Sequence, residues 1–145
     1  SNPLLGRYAL LNEDSNTAIQ TNGNVTMTSN IIMGSGQIVS YREKTINLGT
    51  TSGAINLDAS QAPVYTVTLN NNMTLNTTNI LNAASGTSVT VIVSQDSTGG
   101  WTLTSNLLYA GGSKTLSTAP NAVDIINIFT PNSSTFYASL VKGYS

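Results

Sequence analysis

The sequence predicts an all-β fold, and three observations support this prediction. Apolar and polar residues alternate along several short segments, as they do in strands that bury one face. Thr, which suits a pleated strand better than a helix, accounts for 21 of the 145 residues. Turn-forming Gly and Asn recur between the segments, and no segment has the spacing of an amphipathic helix. Short strands separated by turns are typical of a β-sandwich or barrel.

The alternation is clearest in two segments, 64–69 and 88–94. Every second residue in each is apolar and most residues between are Thr or Ser, which predicts one buried and one solvated face. The predicted inward-facing residues are Tyr65, Val67 and Leu69 in the first segment and Val89, Val91 and Val93 in the second.

From Lys44 onward, segments of this kind recur with short turns between them, including a turn at the three consecutive Asn of 70–72. Eight strands are predicted, near 44–48, 54–57, 63–70, 73–78, 87–95, 101–105, 122–130 and 135–142. We therefore predict two parts. Residues 1–43 form an extended docking or stem segment, and residues 44–145 form a β-sandwich domain.

Residues 22–41 carry isolated apolar residues separated by Asn-Gly and Gly-Ser-Gly. Strands with so few apolar residues cannot enclose a core within one chain, yet the segment is too apolar for a disordered linker. Two explanations stay open. Three copies of the chain bury these residues together in a β-stem, or the segment adds a hairpin to the sandwich. The candidate oligomer or docking residues here are Val25, Met27, Ile31, Ile32 and Ile38.

Segment 122–130 is apolar on both faces, with Ile125 and Phe129 on one side and Ile126 and Ile128 on the other. A strand of this kind needs cover on both sides. We predict that Ile126 and Ile128 belong to an oligomer or docking interface. The alternative is a central strand that the chain's own loops cover.

The composition excludes several function classes. The chain has no His and no Cys, so it cannot form a Ser-His-Asp or Cys-His triad, a thiolate zinc site or a disulfide. Five basic and six acidic residues provide no basic surface for phosphates, so nucleic acid is not an expected partner. No apolar run approaches the roughly 18 residues of a membrane span, so membrane insertion is not expected.

Carboxylates are the only general bases that the sequence offers. Asp58, Asp96 and Asp124 stand at turns or strand edges, where a single Asp usually accepts hydrogen bonds from nearby backbone. No closely spaced acidic run suits Ca²⁺. We therefore expect no enzyme activity, no metal site and no cofactor.

Exposed aromatic rings are the candidate glycan-binding residues, since pyranose rings stack on them. Tyr109, just before Gly111 and Gly112, is the best candidate, and Tyr137 and Tyr144 are others. The alternative role for each is half-buried packing with a solvated hydroxyl, which is the more common one.

The turn and strand motifs from Ile46 to Leu140 resemble a known family. They are GAINLD at 53–58, VTLNNNMTL at 67–75, QDSTGG at 95–100 and AVDIINIFT at 122–130. These motifs are similar to a β-sandwich module of structural proteins from tailed bacteriophages, including tail-fibre-like proteins of cyanophages and other marine phages. The likeness covers about two-thirds of the chain.

The resemblance implies a component of the virion, an extracellular particle, with a jelly-roll-like antiparallel β-sandwich and an extended N-terminal β-stem or hairpin. It implies a homotrimeric fibre or appendage protein without enzyme activity that contributes to particle assembly or host attachment. Its partners would be further copies of itself, other virion proteins and a host surface glycan. Two alternatives stay open: a capsid decoration protein of the cement or head-fibre kind, and a carbohydrate-binding adhesin module.

Overall fold

The computed structural model describes residues 21–145, and the chain divides into two units, Ser1–Ser40 and Tyr41–Ser145. Residues 1–20 of the predicted N-terminal segment 1–43 lie outside the described residues. Residues 21–40 form no helix and no strand, and all of their side chains are exposed. The hairpin that was one explanation for residues 22–41 is therefore not formed by the described residues, whereas the stem shared between copies stays a prediction.

The second unit is built from nine strands within the described part of the chain. They are β1 (Thr45–Ala54), β2 (Leu57–Asp58), β3 (Val64–Thr74), β4 (Ile80–Leu81), β5 (Thr87–Gln95), β6 (Leu103–Thr104), β7 (Leu108–Tyr109), β8 (Val123–Thr130) and β9 (Tyr137–Tyr144). Two single 3₁₀ turns, Thr77–Asn79 and Ala110–Gly112, are the helical elements of residues 21–145, and neither is long enough to cross a membrane. The predicted all-β class is confirmed.

The strands form one large and one small sheet. The large sheet has the order β1-β3-β5-β8-β9-β7, with β6 paired to the end of β3, and the small sheet pairs β2 with β4. Strands β1, β3 and β5 run parallel, as do β2 and β4, whereas β5, β8 and β9 are antiparallel neighbours. The chain thus coils between the two sheets, and β2 and β4 provide the crossovers that parallel neighbours require.

The parallel coil corrects the predicted pairing. An antiparallel, jelly-roll-like sandwich does not hold for β1, β3 and β5, which are parallel. Alternation in sequence identifies the buried face of a strand, but it carries no information on the direction of the neighbouring strand.

One hydrophobic core joins the two sheets. The predicted inward faces of β3 and β5 are confirmed, because every second residue is buried from Tyr65 to Leu69 and from Val89 to Val93. Leu57 and Ile80 reach the same core from the small sheet. Full burial of one such aliphatic side chain stabilises a fold by about 1.5–3 kcal/mol. The buried residues of β3, β5 and β8 include Tyr65, Val67, Leu69, Val89, Val91, Val93, Ile126 and Ile128.

The three Asn of 70–72 do not form the predicted turn but continue β3. The first part of β3 pairs with β5 and its last two residues pair with β6, so the Asn residues lie where one partner replaces the other. Asn72 Oδ1 accepts the Thr102 N–H at 2.9 Å, which links β3 to the chain entering β6. A side-chain hydrogen bond here compensates for the missing ladder bond.

Candidate functional site

The outer face of the large sheet, which is the side turned away from the core, carries the candidate site. On β8 the buried residues alternate with Ile125, Asn127 and Phe129, which point outward. The period of two along each strand brings the outward residues of β5, β8 and β9 together on this face.

An apolar row crosses the outer face at one end of the sheet. Ser88 of β5 lies opposite Phe129, Phe129 lies opposite Tyr137 of β9, and Tyr137 lies opposite Leu108 of β7. Phe129 is 45% exposed, and Tyr137 and Leu108 are each 54% exposed. Residues directly opposite on neighbouring strands have Cβ atoms about 5 Å apart, so Phe129 and Tyr137 are neighbours on this face, and we name the pair the aromatic platform.

A polar row runs beside the apolar row, one pleat further along the sheet. Thr90 lies opposite Asn127, and Asn127 lies opposite Ser139. The Thr90 hydroxyl donates to Asn127 Oδ1 at 3.3 Å. That bond uses Asn127 Oδ1 as its acceptor and leaves the NH₂ group of this exposed residue as a donor.

The two rows line a shallow groove of about 350 Å³, which we name the outer-face groove. None of its lining residues is charged, and those that point outward carry aromatic, hydroxyl or amide side chains: Ser88, Thr90, Asn127, Ile128, Phe129, Tyr137, Ala138 and Ser139. A second cavity of about 260 Å³ near β6 has no aromatic lining residue. The outer-face groove therefore combines a flat apolar surface with hydrogen-bonding groups in a way that the second cavity does not.

The loop 131–136 holds the two aromatic strands of the groove in place. Asn132 Oδ1 accepts the backbone N–H groups of Ser134 and Thr135 at 3.1 and 2.7 Å. The buried Thr130 hydroxyl oxygen accepts the Ser133 N–H at 2.9 Å. These side-chain bonds replace the ladder bonds that end with β8, and they determine where β9 begins.

The three Asp residues weighed in the sequence as carboxylate bases each accept hydrogen bonds from neighbouring residues. Asp58 Oδ1 accepts the Asn82 amide at 3.0 Å and the Ser60 hydroxyl at 2.7 Å, and these hydrogen bonds lower the pKa of Asp58. Asp96 Oδ1 accepts the Gly99 N–H at 3.0 Å and Trp101 Nε1–H at 2.9 Å, which lower the pKa of Asp96 in the same way.

Asp124 is buried, and it connects three parts of the second unit. Its carboxylate accepts the Ser117 N–H at 2.6 Å and the Gly143 N–H at 2.9 Å, so it joins β8 to the 113–118 loop and to the end of β9. Within the described residues, no group of three or more acidic side chains is placed to hold a metal ion. These carboxylates act as hydrogen-bond acceptors at three separate places in the second unit.

A family model with the description "Putative phage tail fibre C-terminal domain" matches residues 46–132, which is more than half of the chain. The chain belongs to this phage tail fibre family. Neither a curated protein nor a solved structure gives a significant match. The predicted resemblance to a tail-fibre-like module of phage structural proteins is confirmed.

Membership of the tail fibre family establishes the general role of the protein. It is a component of the virion, it serves particle structure or host attachment, and it associates with other virion proteins. The matched residues 46–132 run from β1 through β8 and include Phe129 but not Tyr137. Tyr137, one of the two aromatic residues of the groove, therefore lies outside the matched segment.

Tyr109 of this tail fibre domain is not the exposed stacking residue that the sequence predicted. It is 8% exposed, and its hydroxyl donates to Ser105 Oγ at 3.0 Å. Burial raises the pKa of the Tyr109 phenol. The reason is β7, a strand absent from the sequence prediction, whose pairing with β9 turns Tyr109 into the core and Leu108 outward.

The predicted interface face of β8 is also corrected. Ile126 and Ile128 are 0% and 4% exposed and belong to the core of their own chain, so they cannot contact a partner. The outward residues are those on the opposite side, Ile125 and Phe129. Both faces of β8 are apolar, and the packing of β5 and β9 around it decides which one is covered.

The five candidate interface residues of the N-terminal segment are exposed in the tail fibre chain. They are Val25, Met27, Ile31, Ile32 and Ile38. Their role between copies stays a prediction.

Tyr137 and Phe129 are the residues that sequence reasoning undervalued. The sequence named Tyr137 only as a secondary candidate and Phe129 only as part of a strand face. Their pairing across β8 and β9 could not be read from alternation, because it depends on the register of the 131–136 loop.

Proposed function

We propose that this chain is a non-enzymatic component of a homotrimeric phage fibre, in which residues 41–145 contact the host surface. The family match supports the fibre role, because it lies within that unit. The trimer rests on the N-terminal segment, and the surface contact rests on the outer face of the large sheet.

The observation that carries the trimer is the exposure of aliphatic side chains between residues 25 and 39. Ile32 and Val39 are 87% and 91% exposed. Exposed aliphatic residues concentrated in a short segment mark an interaction surface rather than a solvated one. The exposed set is Val25, Met27, Ile31, Ile32, Met33, Ile38 and Val39.

A closed ring of copies buries such a segment without any further part of the chain, because the copies cover each other. Each copy contributes a narrow apolar strip, and cyclic symmetry brings equivalent strips to one axis. Another virion protein could cover the same strip, and the sedimentation experiment below separates the two cases.

Sedimentation velocity of the whole chain tests the trimer. We expect a species of three times the 15.1 kDa chain mass at micromolar concentration. The double substitution of Ile31→Ser and Ile38→Ser should shift it to the monomer, because it removes two exposed aliphatic side chains from the strip.

Leu81→Ser is the matched control, since Leu81 is an exposed aliphatic residue of the second unit and should leave the trimer intact. A wild-type chain that sediments as a monomer contradicts the trimer. A monomer that binds empty capsids would instead support the capsid decoration role.

A second candidate function, the carbohydrate-binding adhesin, is favoured by the outer-face groove alone. The two functions are compatible, because a fibre attaches to a host through a surface of this kind. The chemistry of the groove is argued next.

A further inference from the structure

We propose that the outer-face groove binds a neutral saccharide, with one pyranose ring stacked on Phe129 and Tyr137 and its hydroxyls bonded to the polar row. This inference deepens the proposed attachment function and rests on it for its biological setting. It does not depend on the trimer.

The aromatic platform supplies the stacking surface. Phe129 and Tyr137 lie directly opposite each other on β8 and β9, and both are about half exposed. One face of a pyranose presents C–H groups that pack on an aromatic ring, and removing that apolar surface from water is favourable. The hydrogen bonds of the 131–136 loop hold the backbone of both strands in place, so little backbone freedom is lost on binding.

The polar row, together with Ser88 at the end of the apolar row, supplies the hydrogen bonds. Among the described residues, the structure gives no hydrogen-bond partner to the Asn127 NH₂ group or to the Ser88 and Ser139 hydroxyls, whereas Asn127 Oδ1 already accepts from Thr90. Amides and hydroxyls both donate and accept, as sugar hydroxyls do. The row can therefore pair with neighbouring hydroxyls of one ring.

The absence of charge from the groove selects for a neutral ligand. An acidic sugar or a phosphate is normally held by Arg or Lys, and neither lines the groove. The volume of about 350 Å³ is at the lower end of small-molecule sites, which suits one or two sugar rings.

A second copy of the chain is a poorer occupant of the same groove. A flat protein surface would bury the Asn127, Ser88 and Ser139 groups without reliable partners, and a buried polar group left without a hydrogen bond weakens association. A saccharide brings its own hydroxyls to those positions. Hydrogen bonding thus favours a sugar over a protein partner.

The test applies the whole chain to an array of neutral oligosaccharides built from glucose, galactose, mannose and N-acetylglucosamine, with sialylated and phosphorylated glycans on the same array. We expect binding to at least one neutral glycan. For that glycan, Tyr137→Ala and Phe129→Ala should each weaken the affinity about tenfold, which is the effect of losing a stacking surface.

Tyr144→Ala is the matched control, because Tyr144 is a similarly exposed tyrosine of β9 outside the groove. It should leave glycan affinity unchanged. Asn127→Ala should weaken binding without a change in melting temperature, which a purely structural residue would not do.

The proposal is overturned if no neutral glycan binds, if acidic glycans are preferred, or if Tyr137→Ala and Tyr144→Ala have equal effects. It is also overturned if Phe129→Ala dissociates the oligomer, since the face would then be an interface between copies.

Trimers that bind no glycan would remove this inference and leave the fibre role. Monomers that bind a neutral glycan through Phe129 and Tyr137 would remove the trimer and leave this inference.

Discussion

Single residues of the second unit stabilise its loops mainly through side-chain oxygens that accept hydrogen bonds from backbone N–H groups. The second unit has few charged side chains, and its loops are held instead by Asp, Asn and Thr side chains that accept backbone N–H groups. Asp96 is typical, since it organises the 96–101 turn from one carboxylate oxygen. Hydrogen bonds to an ionised acceptor are stronger than neutral ones, so one Asp can determine a whole turn.

Gly99 is the residue of that turn with the least tolerance for change. Its φ is +71°, and a Cβ placed there would lie 2.6 Å from the Thr118 carbonyl oxygen. Gly100, its neighbour, has φ +88° but open space around the same position.

We expect Gly100→Ala to lower the free energy of unfolding by about 1–2 kcal/mol, through backbone strain alone. Gly99→Ala should lower it by more than Gly100→Ala, because backbone atoms must also move apart. Urea unfolding of both variants measures the difference, and equal losses would contradict the close packing of the 96–101 turn against the 118–120 segment.

At the scale of elements, β8 has two apolar faces, and the strands packed around it decide which face is buried. Ile126 is fully buried, whereas Ile125 next to it points outward and is only partly covered. Both residues lie on the same strand with similar backbone geometry. Their difference is purely a difference of packing.

Ile126→Ala should therefore destabilise the fold by about 2–5 kcal/mol through the cavity that it leaves. Ile125→Ala is the matched control and should lose clearly less, since water and neighbouring side chains already share its surroundings. Thermal or chemical unfolding measures both. A larger loss for Ile125 would mean that the two faces of β8 are reversed.

At the scale of the whole molecule, two hydrogen-bonded carboxylates make stability depend on pH in the acid range. Asp58 and Asp96 have pKa values below the ordinary 3.8, because hydrogen bonds favour their ionised forms in the fold. A carboxylate with a lowered pKa stabilises the fold above its ordinary pKa. That stabilisation is lost as the pH falls through the lowered value.

We expect a free energy of unfolding that is nearly constant from about pH 5 to 7 and falls below pH 3.8, where the unfolded chain takes up protons first. Asp96→Asn should reduce the acid-induced loss. Glu43→Gln removes the same charge from an exposed position and is the matched control. Stability that rises between pH 5 and pH 3 would contradict the direction of both shifts.

How far sequence reasoning reached can be seen in particular residues. Alternation correctly placed Tyr65, Val67 and Val91 in the core, because apolar and polar residues alternate along a strand with one solvent-exposed face. It failed at Tyr109, whose short strand β7 has too few residues to show any period. It failed for the direction of β1, β3 and β5, because side-chain pattern is the same in parallel and antiparallel pairs.

The sequence by itself determined the all-β class, the inward faces of the long strands, the turn motifs of a phage tail fibre module and the lack of His and Cys chemistry. Each of these follows from local residue order and composition. Only the tertiary structure decided that Ile126 is buried and that Phe129 and Tyr137 share one exposed platform. Those facts depend on which strands become neighbours, and strand pairing joins residues that are distant in the chain.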